Sequence, residues 1–190
     1  NLSEWHNLVI QLKTTLANIY YSQNKINEAK QLLEKIIAIK LKSKSTDEYL
    51  GDAYCLLADC LLKQNKLDDA VIYYNKATEI YNAIYGAKNV YSIDALIGLS
   101  NTFIQKNEFK KALEFANQAT DCTIKNKQVV YFYDHWQSQL QVLICKNELF
   151  KSNQCNESID AIIEQIKAAS SEAIKIKNTF ISINNQLHYA

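Results

Sequence analysis

The heptapeptide Gln64-Asn65-Lys66-Leu67-Asp68-Asp69-Ala70 has two counterparts in this chain, Gln23-Asn24-Lys25-Ile26-Asn27-Glu28-Ala29 and Lys106-Asn107-Glu108-Phe109-Lys110-Lys111-Ala112. Each copy has a polar turn with Asn at the second position, an apolar residue at the fourth and Ala at the seventh. The Ala residues lie at 29, 70 and 112, so the spacing is 41 and then 42 residues. A fixed period of this size predicts a repeat solenoid, in which each unit buries its apolar face against its neighbours.

Apolar residues recur at helical spacing through almost the whole chain, and no segment sustains the alternation of a β-strand. Each polar turn separates two such apolar stripes, so each unit is predicted to be a pair of antiparallel helices. The fold class is therefore all-α, a right-handed α-solenoid with about eight helices. The predicted pairs are 2–22 with 25–42, 47–64 with 67–85, 90–106 with 109–126, and 129–150 with 157–180.

The residues between the stripes are typical of helix ends. Asn24, Asn65 and Asn107 lie where two helices must turn sharply, and Asn is the residue after Gly that best tolerates the left-handed conformation. Ser45-Thr46-Asp47-Glu48 predicts a helix start with hydroxyl caps and early carboxylates. Gly86 predicts a helix end.

The fourth unit departs from the pattern. We interpret residues 1–190 as one helical repeat domain with units of about 2–43, 47–86 and 90–126 and a degenerate unit, 129–185. Residues 151–156 are polar where a second helix is expected, and the helical pattern resumes only near Glu157. We expect this last helix to cap the array. One alternative is an insertion. Another is that the array continues, in which case the C-terminal helix is the docking face of the next repeat or a self-association surface. The missing initiator Met suggests a fragment of a longer protein.

Composition argues against several classes of function. The net charge is +1, Arg is absent, and the lysines are spread among carboxylates, which argues against nucleic-acid binding. No apolar stretch is long enough for membrane insertion. The five cysteines are an odd number without a CxxC pair, which predicts no disulfide framework, no metal site and a cytoplasmic location. His6, His135 and His188 are scattered, so we predict no catalytic residues, no cofactor and no enzyme activity.

Further positions repeat in phase with the three Ala residues. In each unit a large apolar residue is followed directly by a small one, and another large residue follows three positions after the small one. The three sets are Leu16, Ala17 and Tyr20; Leu57, Ala58 and Leu61; and Leu99, Ser100 and Phe103. This pattern resembles the tetratricopeptide repeat over about residues 5–126, and its long period resembles the variety found in kinesin light chains. The resemblance implies a non-catalytic protein–protein interaction module that binds a peptide or helix of a partner in a concave groove, as part of a scaffold or adaptor.

In this family, exposed positions of each first helix line the groove. Carried over unit by unit, they give the partner-binding candidates Gln11, Thr14, Asn18, Asp52, Cys55, Asp59, Lys63, Asp94, Ile97, Asn101 and Gln105. Asn18, Asp59 and Asn101 are equivalent and are predicted to form a ladder that hydrogen-bonds a peptide backbone. The excess of Asp over Lys predicts a neutral-to-basic peptide or helix as the partner. The alternative is that these are ordinary solvated helix positions.

One family use is disfavoured by the residues present. The clamp for chaperone tails holds a C-terminal carboxylate with Lys and Arg, and its positions carry Thr14, Leu56, Asp94 and Gly98 in this chain. Two other functions stay open: a helical regulatory domain of a larger enzyme, and a bacterial peptide-sensing regulator. The identity of the partner is not predicted by the sequence.

Overall fold

The computed structural model describes residues 2–44, 46–125 and 132–152, with residues 161, 164, 165, 167, 168 and 171. This part of the chain contains seven α-helices, one 3₁₀ turn and no β-strand. The helices are α1 (Leu2–Ser22), α2 (Ile26–Lys42), α3 (Glu48–Lys63), α4 (Leu67–Tyr85), α5 (Ile93–Gln105), α6 (Phe109–Lys125) and α7 (Phe132–Lys151), and the 3₁₀ turn is Val90–Ser92.

The helices pack as successive antiparallel pairs. α1 packs on α2, α3 on α4 and α5 on α6, while α2 packs on α3 and α4 on α5 to join neighbouring pairs. The first helices also touch one another, α1 with α3, α3 with α5, and α5 with α7. The structure is therefore the predicted right-handed α-solenoid. Seven of the eight predicted helices lie among the described residues, and most of the eighth, 157–180, lies outside them.

The three turns inside the pairs have one geometry. Asn24, Asn65 and Asn107 have φ values of 61°, 58° and 59°. In each turn the next residue donates its backbone N–H to a carbonyl five positions earlier, at 2.8 to 2.9 Å. This is the hydrogen bond of a helix that ends with a left-handed residue, and Asn adopts that conformation at low cost. The predicted left-handed turns are confirmed.

The repeated alanines lie buried in the core between the helices. Ala29, Ala70 and Ala112 are each 0% exposed. The small residues of the first helices, Ala17 and Ala58, are also fully buried. Because a larger side chain at these positions would force neighbouring helices apart, the period of Ala is a packing requirement. The predicted register is confirmed.

Two helix starts differ from the prediction. The cap of α3 is the Asp47 carboxylate, which accepts the Leu50 backbone N–H at 3.3 Å, so the prediction of hydroxyl caps is wrong. The helix predicted from residue 90 begins with the 3₁₀ turn, in which the Asn89 side chain accepts the Ser92 N–H at 3.0 Å. The predicted end at Gly86 is confirmed, since this residue caps α4 with φ of 78°.

A buried lysine connects the first two pairs. Lys40 on α2 is 1% exposed, and its Nζ atom lies 2.7 Å from an Asp47 carboxylate oxygen and 3.0 Å from the Asn7 side-chain oxygen. The ring centroid of Tyr49 is 5.1 Å from the same Nζ atom. The charge is thus compensated by residues from α1 and from the start of α3.

The fourth unit is described mainly through α7, which packs on α6 and also contacts α5. Cys145 is fully buried and lies 3.3 Å from the Ser100 hydroxyl. The cap predicted from Glu157 onward, and the self-association predicted as its alternative, lie largely outside the described residues. Two described residues of this segment, Glu164 and Lys167, are exposed and form an ion pair at 2.8 Å. None of the helices in the described part has both the length and the apolar character of a membrane span.

Candidate functional site

A groove runs along the first helices of the three pairs. Its central cavity has a volume of about 780 Å³ and is bordered by residues of α1, α3 and α5. Eight of the eleven predicted partner-binding residues line it: Thr14, Asn18, Asp52, Cys55, Asp59, Asp94, Ile97 and Asn101. The structure therefore brings most of the predicted residues of three separate units into one cavity.

Three of the predicted residues do not line this cavity. Gln11 and Gln105 are exposed on their helices. Lys63 is also exposed, and its Nζ atom lies 3.9 Å from the ring centroid of Tyr21. This cation–π contact holds the Lys63 charge against α1, at one side of the groove.

Two tyrosines from α4 reach into the groove, and the sequence analysis did not predict this. The Tyr74 hydroxyl donates to an Asp59 carboxylate oxygen at 2.5 Å, and the Tyr81 hydroxyl donates to Asp52 at 2.7 Å. Both rings pass over glycines. A Cβ atom added at Gly98 would lie 2.3 Å from the Tyr74 ring, and one at Gly51 would lie 2.6 Å from the Tyr81 ring. The two glycines therefore make room for the tyrosines that hold the carboxylates.

The carboxylates of the groove are partly desolvated. The pKa of Asp59 is raised to about 6, mainly by burial and also by the Asp94 charge, while the Tyr74 hydrogen bond and the Lys63 charge oppose the shift. The pKa of Asp52 is also raised, mainly by burial and then by the carboxylates near it, although its bond to Tyr81 works in the other direction. The groove thus has a negative potential concentrated between α3 and α5.

Stacked aromatic rings lie at the edge of the cavity. Tyr91, which lines it, is 48% exposed and stacks on Tyr85 with 4.1 Å between ring centroids and an interplanar angle of 16°. Tyr81 follows at 6.2 Å from Tyr91. Burial raises the pKa of Tyr85 to about 12, with further contributions from Glu48 and Tyr91. Partly exposed aromatic rings therefore lie beside the carboxylates of the same groove. This aromatic edge was not predicted from the sequence.

The three equivalent ladder positions have different surroundings. Asn18 is exposed, whereas Asp59 is half-buried and bonded to Tyr74. The Asn101 side-chain oxygen accepts the Gln141 amide at 2.7 Å, and Gln141 comes from α7. The predicted ladder therefore mixes an exposed amide, a carboxylate held by a tyrosine and an amide already bonded within the fold.

A thiol and several apolar side chains complete the lining of the groove. Burial raises the pKa of the Cys55 thiol well above its ordinary value, and the nearby carboxylates raise it further, which is the opposite of what a nucleophilic cysteine requires. Among the described residues, no group of three or more His, Cys, Asp or Glu side chains is arranged to hold a metal ion. The half-buried side chains of Leu56, Leu62 and Val90 add apolar surface to the same cavity.

Comparison with known families and structures agrees with this architecture. Two family models described as tetratricopeptide repeat match the chain, one over residues 49–125 and the other over residues 9–42. No curated protein matches the sequence significantly.

Solved structures share the fold at low sequence identity. The crystal structure of BtubC (BKLC) from P. vanneervenii matches with a TM-score of 0.70 and 14% identity, over 86% of this chain and 65% of that one. A variant of a putative kinesin light chain with nearly identical TPR-like repeats, from Podosopora anserina, matches with a TM-score of 0.69 and 16% identity, over 87% of this chain and 75% of that one. This chain therefore spans slightly less than two thirds of the BtubC chain.

Proposed function

Because this chain belongs to the tetratricopeptide repeat family, we propose that it is a non-catalytic scaffold or adaptor module that binds a linear peptide or helix of a partner protein in its groove. Repeats of this family are in general protein–protein interaction modules. The observation that carries the proposal is the cavity of about 780 Å³, in which residues from three units meet. The raised thiol pKa of Cys55 supports a role without covalent chemistry.

The charge of the groove favours a basic partner. Asp52, Asp59 and Asp94 line the cavity, whereas the predicted cation Lys63 is exposed against the Tyr21 ring at its edge and offsets only part of their charge. Burial has already removed part of the water around Asp52 and Asp59, so a cation that enters replaces little solvent and interacts through a lower dielectric. Electrostatic complementarity of this kind selects against acidic segments and accelerates encounter with basic ones.

The aromatic edge supplies a place for the side chain that carries the positive charge. A lysine or arginine that reaches Asp94 would lie near the partly exposed ring of Tyr91, where cation–π attraction adds to the ion pair. The hydroxyls of Tyr74 and Tyr81 hold Asp59 and Asp52 in fixed orientations. Carboxylates that are already oriented lose little freedom on binding, which favours affinity.

A peptide selection tests the proposal directly. Random linear peptides displayed on phage are selected on the 190-residue chain, and the enriched peptides are synthesised and measured by fluorescence anisotropy. We expect enrichment of lysine and arginine. The triple variant Asp52→Asn, Asp59→Asn, Asp94→Asn should bind these peptides about tenfold more weakly or worse, because close charge pairs at interfaces contribute ~1.5 kcal/mol or more each.

The matched control removes three charges from the outer helices. Glu34, Glu79 and Glu114 are exposed on α2, α4 and α6, so their replacement by Gln changes the net charge equally without touching the groove. This control should leave the affinity within about twofold of the original, since exposed charges at a distance are screened. Equal weakening by both triple variants, or selection of acidic peptides, would contradict the proposal.

We also propose a cytoplasmic location. The four cysteines in the described part of the chain, Cys55, Cys60, Cys122 and Cys145, are free thiols. Free thiols in a protein of this kind are typical of a reducing compartment.

A further inference from the structure

The first helix carries an exposed apolar stripe. Val9, Leu12, Leu16 and Ile19 are 44%, 60%, 40% and 46% exposed. We call these four residues the α1 stripe. The neighbouring Leu8 is 45% exposed. Among the residues whose side chains the structure describes, thirteen large apolar side chains are exposed, and five of them lie on α1. A concentration of this kind on one helix indicates a contact surface.

The repeat itself shows that helices bury this face. The positions equivalent to the α1 stripe lie 41 and 83 residues later in the sequence. In the second unit they are Leu50, Ala53, Leu57 and Cys60, and in the third unit they are Ser92, Ala95, Leu99 and Thr102, all at most 3% exposed. The helix that covers α3 from the preceding pair is α2, and the one that covers α5 is α4. The same face of α1 therefore has the position of a helix–helix interface.

The side chains of the α1 stripe differ from those inside the stack. Leu12 stands where α3 and α5 have Ala, and Ile19 stands where they have Cys60 and Thr102. A helix packed as closely as α2 packs on α3 would be overpacked against these larger residues. The stripe therefore fits a partner helix at a wider spacing, with large side chains that interdigitate with its own.

The spacing within the stripe indicates which helix that is. Val9, Leu12, Leu16 and Ile19 are separated by three, four and three residues, the spacing of the contact positions of a coiled coil. Between residues 7 and 22 the only charged residue of α1 is Lys13. Two copies of this helix can therefore pair through the stripe with little charge repulsion, and each covers the exposed apolar face of the other.

We propose that the α1 stripe is a self-association surface, and that its occupant is the α1 stripe of a second copy of this chain. The contact is isologous, because the same residues of both copies form it, and it closes a dimer with two-fold symmetry. At about 100° per residue, Thr14 and Asn18 lie on the opposite side of α1 from the stripe. Thr15, which also lines the cavity, borders the stripe, so the dimer covers at most this edge of the groove and leaves its other lining residues open.

Sedimentation velocity of the 190-residue chain over a range of micromolar concentrations tests this proposal. We expect a concentration-dependent dimer. Leu12→Lys and Ile19→Lys, measured separately, should each raise the dimer dissociation constant by about tenfold or more, because each places a charge in an apolar contact. Both positions are exposed in the single chain, so circular dichroism should stay unchanged, as should the melting temperature at a concentration at which the original chain is monomeric. Ile72→Lys is the matched control, since Ile72 is 51% exposed on α4, and it should leave the dimer intact.

Three results would overturn the proposal. The original chain stays monomeric over the whole range, or its dimer keeps the same dissociation constant in both α1 variants, or Ile72→Lys dissociates it equally. The second result would move self-association to another surface. Peptide binding in the groove should be the same for Leu12→Lys and the original chain, so failure here is separate from failure of the proposed function.

Discussion

Replacement of Gly98 by Ala tests whether the tyrosine that reaches the groove is fixed by the helix beneath it. The new Cβ atom would lie 2.3 Å from two ring carbons of Tyr74 and 2.7 Å from its hydroxyl oxygen. Tyr74 is fully buried, and its hydroxyl donates to Asp59. The ring cannot yield without either straining the contact between α4 and α5 or releasing the carboxylate.

The expected loss of stability follows from three effects. Ala is the better helix former by about 1 kcal/mol, which favours the variant. Overpacking in a closely packed contact costs about 1–3 kcal/mol. Displacement of the Tyr74 hydroxyl leaves the half-buried Asp59 without its donor, which costs a further ~1–3 kcal/mol. We therefore expect the free energy of unfolding of Gly98→Ala to fall by about 1–5 kcal/mol, against the direction that helix propensity alone predicts.

A double-mutant cycle with Tyr74→Leu separates the clash from other effects. The free energy of unfolding is measured by urea denaturation for the original chain, both single variants and the double variant. In the Tyr74→Leu background the aromatic ring is gone, so Gly98→Ala should be neutral or stabilising by about 1 kcal/mol. An equal loss of stability in both backgrounds would refute the conclusion that Gly98 makes room for the ring of Tyr74.

Two further predictions concern the repeat register and the groove charge. Ala70→Leu should lower the free energy of unfolding, measured by urea denaturation, by about 1–3 kcal/mol, because Ala70 is fully buried. Ala83→Leu, on the exposed side of the same helix, should change it little. Equal effects of the two substitutions would mean that the register is wrong. The pKa of Asp59 is raised to about 6, above its value in the unfolded chain, so its contribution to stability is complete below about pH 4 and is lost as the pH rises through 6. Asp59→Asn should therefore raise the melting temperature more at about pH 7.5 than at about pH 5, and an unchanged difference between the two pH values would contradict the shift.

The helix pairs and their turns could be predicted from the sequence because they depend on the conformational preferences and sizes of individual residues. The left-handed turns at Asn24, Asn65 and Asn107 follow from the conformational tolerance of one residue. The close contacts at Ala29 and Ala70 follow from side-chain volume at a fixed period. These features repeat, so three weak signals in phase give one strong prediction. Helix ends were less predictable, since Ser45, Thr46 and Asp47 are all good capping residues and the sequence does not indicate which of them caps α3.

The groove was predicted only in part, because two of its lining residues come from α4, whereas the repeat pattern predicted a groove lined by the first helix of each pair. Tyr74 is fully buried, yet its hydroxyl extends between α3 and α5 to reach Asp59. Nothing in the spacing of Tyr74, Gly98 and Asp59 along the chain reveals that they meet. The buried Lys40 is a similar case, since its partners Asn7 and Asp47 come from different units. Such contacts are set by how the pairs stack, which the period alone does not specify.

Asp59 connects the stability of the fold to the proposed binding of a cation. The positions equivalent to it in the neighbouring units carry the uncharged amides Asn18 and Asn101, so stacking of the repeats does not require a charge there. A pKa of about 6 means that the ionised carboxylate raises the free energy of the folded chain by about 2–3 kcal/mol at neutral pH. Tyr74 could donate equally well to an amide oxygen at this position, so its hydrogen bond does not explain why the residue is Asp. A lysine or arginine that binds beside Asp59 would return the pKa toward its ordinary value and recover part of this energy. Under the proposed function, basic peptides should therefore bind more weakly as the pH falls through 6, and Asp59→Asn should remove most of that dependence.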